Sequence, residues 1–166
     1  MRYLLSIFFW LVAIYIFSLL NLYQSGWQYV QPFLIVILLT YFNSEDHWLY
    51  YSLSILSGLY IDSLNGIFGV YSIIFLLILF ILKILQNTWL TSKNFLSIVI
   101  LTILAFVLFW FFFWLINSIF DWQIYIFNQQ AWWLIFKNFI LFFCTTLIIH
   151  LLIYNFWVRR HERQSL

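Results

Sequence analysis

The chain has 166 residues, 66% of them hydrophobic and only 7% charged, with a mean hydropathy of +1.03. So little polar surface excludes a water-soluble domain and points to an all-α polytopic membrane protein. The net charge of +2 is too small to favour nucleic acid, and the continuously apolar runs lack the alternation of a transmembrane β-barrel.

Six apolar segments follow in chain order, at about 3–20, 28–43, 48–63, 67–86, 95–119 and 132–157, each near the length that crosses a bilayer. They predict a single transmembrane domain over 1–166, a six-helix bundle. The first carries Arg2 and runs on into Asn21–Gly26 without a small-residue cleavage site, so a retained span is expected rather than a signal peptide. The second is short and begins near Pro32, which the first turn of a helix tolerates. Asn65-Gly66 separates the third from the fourth and predicts a tight helical hairpin. The fifth and sixth flank a polar loop with Asp121, Gln123, Asn128, Gln129 and Gln130, and the chain ends on Arg159-Arg160-His-Glu-Arg163.

Lysines and arginines orient the bundle. With both termini inside, Arg2, Lys83, Lys93, Arg159, Arg160 and Arg163 fall on the inner side and only Lys137 on the outer. The positive-inside rule therefore predicts N-in and C-in. Arg159, Arg160 and Arg163 read as a topology anchor that also touches anionic lipid, with docking to a cytoplasmic partner as the other reading. Tryptophans 27, 48, 89, 122, 132, 133 and 157 fall near span ends, as interfacial anchors do; Trp10, Trp110 and Trp114 are mid-span and are expected to pack.

Three of the four glycines lie between Gly58 and Gly69, around Asp62, the one carboxylate inside an apolar stretch. Gly58, Asp62 and Gly66 are spaced so that one helix would align them on a single face. A carboxylate there needs a partner, water or headgroups. Asp62 and Asn65 suit a turn, so Asp62 is either a turn residue, a buried contact to a neighbouring helix or partner, or a ligand group. Gly58 and Gly66 are expected as notches for another helix, of this chain or of a partner; Gly69 relieves the turn.

No chemical site emerges. Glu45, Asp46 and His47 are adjacent and lack a further ligand, so no metal is expected and a solvated inner loop is preferred. His150 reads as a hydrogen-bonded histidine within the bundle. Cys144, the only cysteine, has no activating neighbour, and no disulfide is possible. No nucleotide fingerprint or nucleophile–base set is present, so neither a cofactor nor an enzyme is expected.

Pro32, Gly58, Asp62, Gly66 and Gly69 carry a resemblance to MreD, the small membrane subunit of the bacterial rod-shape machinery. Length, six-span layout and basic tail agree along the whole chain. It departs in carrying Phe33 after the proline, where a polar residue is common, and in a short spacing from the aspartate to the last glycine. The resemblance implies a non-enzymatic scaffold of the bacterial inner membrane. Its expected partners are the single-pass protein MreC, the glycosyltransferase RodA with its transpeptidase, and the MreB filament. The fold is also similar to the substrate-binding subunits of energy-coupling-factor importers, which supplies the alternative function. That alternative expects Trp110, Trp114, Asn117 and Asp121 around an outward cavity, where the scaffold expects packed side chains.

Overall fold

The computed structural model describes residues 2–22, 31–43, 46–88, 95–120 and 129–162, and every regular element among them is an α-helix. These are α1 (Arg2–Leu22), α2 (Pro32–Asn43), α3 (His47–Asn65), α4 (Val70–Thr88), α5 (Phe95–Phe120) and α6 (Gln129–Glu162). Trp27, Glu45, Trp89, Lys93, Asp121, Trp122, Gln123, Asn128 and Arg163 lie outside the described residues, as do the side chains of Arg2, Gln129, Gln130, Trp157, Arg159 and Arg160.

Apolar composition explains the helices better than intrinsic propensity does. The aromatic and β-branched residues that fill them are middling helix formers in water. Away from water, a helix satisfies every backbone group within its own segment. Serine and threonine hydroxyls follow the same rule. Thr40 donates to Val36 O, Ser54 to Tyr50 O, Thr102 to Ile98 O and Thr146 to Phe142 O, each at 2.7–2.8 Å. These buried polar side chains are thus satisfied on their own helices.

Among the described residues, three stretches are long and apolar enough to cross a membrane, Val70–Thr88, Leu96–Phe120 and Trp132–Leu152. α2 is different. Its helix starts at Pro32, because proline fits the first helical position and Gln31 stays outside; positions 28–30 of the expected span lie outside the described residues. Twelve residues span only about 18 Å, short of a hydrocarbon core of roughly 30 Å. Nearly all of α2 is buried, from Pro32 to Leu34 and from Val36 to Phe42.

Helices adjacent in sequence pack against each other, and α3 with α4 makes the most extensive pair. The series closes where α6 returns to α2, and α1 lies against α2. The centre is aromatic. Tyr71 and Phe75 of α4 meet Phe109 and Phe113 of α5, with Tyr71 to Phe113 at 4.5 Å and Phe75 stacked on Phe109 at 5.9 Å. All four side chains are fully buried. Phe106 extends the cluster to Phe139 and Phe142 of α6, at 5.0 and 5.1 Å.

Phe109 touches Tyr71, Phe75, Trp110 and Phe113, so truncation leaves a cavity with four aromatic walls. Phe109→Ala is expected to lower stability by about 3–5 kcal/mol. Phe111→Ala, on the outward face of the same helix, should change it by less than about 0.5 kcal/mol. Unfolding of purified protein in mixed micelles distinguishes the two; equal losses would place the core elsewhere.

Candidate functional site

The α3–α4 hairpin is built around one residue. Gly66 ends α3 in the left-handed conformation, with φ 67° and ψ 22°, and its N–H bonds to Asp62 O. The Ile67 N–H reaches the same carbonyl at 3.1 Å. This is the pairing that closes a helix C-terminus through a left-handed glycine. Asn65 donates its side-chain amide to Ile61 O at 3.1 Å, occupying another terminal carbonyl.

α4 then begins without a side-chain cap of its own. Gly69 occupies the capping position, with φ 81°, and its carbonyl accepts the Ile73 N–H at 3.0 Å. A glycine supplies no acceptor for the free N–H groups of the first turn. Asp62 supplies it from the preceding helix: Oδ1 accepts the Tyr71 N–H at 3.0 Å. The backbone N–H groups of Gly69 and Ser72 also face this carboxylate. Oδ2 forms no hydrogen bond of its own among the described residues, and the Ser72 hydroxyl donates instead to Ile55 O at 3.2 Å. Asp62 is 1% exposed. Its carboxyl group therefore lies at the positive end of α4, where negative charge is favoured. Asp62 closes one helix with its backbone and starts the next with its side chain.

Gly58 lies one turn earlier on the same face. A Cβ there would collide with the backbone N and Cα of Ser72 and with its Oγ. The missing side chain is what lets α3 and α4 touch backbone to backbone. The neighbour at this notch is α4 of the same chain. Gly66 does not share the face, because it lies past the last helical turn; a Cβ on Gly66 or Gly69 would meet nothing within 4 Å. Their positive φ angles, not close packing, call for glycine. Pro32 sits apart on α2; the ring of its neighbour Phe33 lies 5.7 Å from Tyr60 of α3.

Several polar contacts escaped the sequence reading. Trp10 Nε1 donates to Ser57 Oγ at 2.9 Å, tying α1 to α3. Ser18 gives its hydrogen to Ile14 O, so the 3.0 Å contact with Tyr60 has the tyrosine as donor. At the other end of α3, Asp46 caps the helix by accepting the Trp48 N–H at 3.1 Å, and His47 Nδ1 lies 2.7 Å from Tyr50 Oη. Tyr41 bonds to Gln86, and Lys83 lies over the Tyr51 ring at 5.9 Å. The signal was the serine and tyrosine content of α3, which reads as mere polarity until neighbouring helices are placed. His150 is buried edge-on against Phe42 at 5.9 Å, and its Nδ1 has no hydrogen-bond partner among the described residues. Trp110 is buried, whereas Trp114 is about half exposed.

No group of three or more His, Cys, Asp or Glu residues among the described ones is placed to hold a metal ion. Compared with family models, curated proteins and solved structures, the chain matches none.

The double cap sets an order of mutational effects. Asp62→Asn keeps an acceptor for Tyr71 but turns an NH2 group toward N–H donors and removes the charge at the helix terminus, so a loss of about 1–2 kcal/mol is expected. Gly66→Ala should lose about 1 kcal/mol through its left-handed backbone. Gly58→Ala should lose the most, because Ser72 backbone has to move. Micellar unfolding titrations of the three variants measure the series; a silent Asp62→Asn would reduce Asp62 to a turn residue.

Proposed function

We propose that the chain is a six-span, non-enzymatic scaffold of the bacterial inner membrane, N-in and C-in, that binds an MreC-like single-pass protein in the cell-wall elongation machinery. The observation that carries this reading is the engagement of Asp62. The carboxylate on which a ligand or transport role would depend is held by the start of α4. Beside it, Tyr71 packs on Phe109 and Phe113, and Phe109 packs on the buried Trp110, one of the residues expected around the importer cavity. A bundle whose interior is fixed by packing and internal caps offers its helix faces to other proteins. Affinity between such faces comes from close packing and polar contacts, since lipid is as apolar as the helices.

The six-span arrangement rests on the lysine and arginine bias and on six helices in which α2, too short alone, is covered by its neighbours. Reporter fusions after Ser92 and Leu166 should report the cytoplasm, and one near Asn128 the outer side. A cytoplasmic signal near Asn128 would refute the arrangement.

The partner reading is tested separately. The MreC-like protein of the same organism should co-purify with the chain from native membranes, and depletion of the chain should round rod-shaped cells. Absence of both effects would end the elongation-machinery reading while leaving the topology intact.

A further inference from the structure

The turn that joins α3 to α4 holds a chemistry that neither packing nor capping uses. Asn65-Gly66 is the one place in the sequence where glycine follows asparagine. Such a pair can modify itself. The glycine nitrogen, with no Cβ beside it, has unhindered access to the carbonyl carbon of the asparagine side chain. Ser63, Leu64, Asn65 and Gly66 are all exposed, so solvent reaches the pair.

Both reacting groups are present, and both are occupied. Asn65 is the last residue of α3, and its Nδ2 donates to Ile61 O at 3.1 Å. The Gly66 N–H, which carries the attacking nitrogen, donates to Asp62 O. The neighbouring bond from the Ile67 N–H to the same carbonyl, at 3.1 Å, holds the turn in place. Helical geometry adds a third restraint. A helical side chain points back toward the N-terminus, away from the nitrogen that follows it. Attack therefore requires the end of α3 to unwind and the cap to open.

We propose that Asn65-Gly66 is a deamidation site that the cap of α3 holds closed, so that fraying of the cap turns a reversible opening into a permanent one. The Gly66 nitrogen bonds to Asn65 Cγ and passes its proton through water to Nδ2. The Cγ–Nδ2 bond breaks and ammonia leaves. Water then opens the cyclic imide at either carbonyl, giving aspartate or isoaspartate. Neither product rebuilds the cap. Aspartate sets a carboxylate oxygen where Nδ2 had donated to Ile61 O, at the negative end of α3. Isoaspartate adds a carbon to the main chain between residues 65 and 66, which displaces the Gly66 and Ile67 N–H groups from Asp62 O.

The test holds the full chain at mildly alkaline pH, either native in mixed micelles or unfolded in urea and dodecyl sulfate. Mass spectrometry of the peptide that contains residues 65 and 66 follows the conversion. The native chain should convert at least about tenfold more slowly than the unfolded one. Asp62→Ala, which releases the start of α4, should bring the native rate toward the unfolded rate; Phe111→Ala should leave it unchanged. Where Asp62→Ala does not fold, Asp62→Asn takes its place. Asn65→Asp installs one product in advance and should unfold at a lower denaturant concentration than the parent. Equal rates for native and unfolded parent chains would overturn the proposal. So would a rate unmoved by the change at position 62, or an Asn65→Asp chain as stable as the parent.

Discussion

Burying a carboxylate without a counter-charge is the constraint around which the hairpin is organised. An isolated ionised carboxylate in an apolar medium is prohibitively unstable. Asp62 avoids that state because α4 begins beside it with N–H groups that its own glycine cap leaves free. Each defect answers the other: a helix start without a side-chain acceptor, and an acceptor without a donor. Register follows from this pairing. A shift of one residue along α3 would separate Oδ1 from the Tyr71 N–H and would bring a side chain, instead of Gly58, against the Ser72 backbone.

With that register fixed, the rest of the bundle is placed by successively softer contacts. Tyr71, held through its N–H by Asp62, presents its ring to Phe109 and Phe113 and so positions α5. The opposite side of α3 offers Ser57 and Tyr60 to Trp10 and Ser18, which holds α1 by two side-chain bonds. α2 is enclosed between these layers, and its apolar side chains need no periodicity because they are buried almost all round. α6 joins last, through Phe42–His150 and Phe106–Phe142.

Much of this was legible in the sequence. Long apolar runs broken by Asn65-Gly66 locate the hairpin, and Pro32 marks the start of a helix. Gly58 signals a close approach, since a glycine mid-helix otherwise only destabilises. The alignment of Gly66 with Gly58 and Asp62 failed because it assumed a helix continuing through the residue that ends it. Sequence alone leaves Asp62 between turn residue, buried contact and ligand group, because its partner is a backbone N–H and every residue but proline carries one. A clue was present: Gly69 opens α4 with no side-chain acceptor, so the nearest upstream carboxylate is the natural cap. Trp10–Ser57 and Tyr41–Gln86 were not legible, because residue type alone gives no pairing between helices so far apart in sequence.

The cap in trans also bears on how the chain is made. α3 is not among the helices apolar enough to cross a membrane by themselves, whereas α4 is. Until α4 has formed, the Asp62 carboxyl lacks the Tyr71 N–H and the end of α3 carries an unsatisfied polar group. The two helices are therefore one folding unit: the end of α3 gains its donors and its close-packed neighbour only when the first turn of α4 is in place.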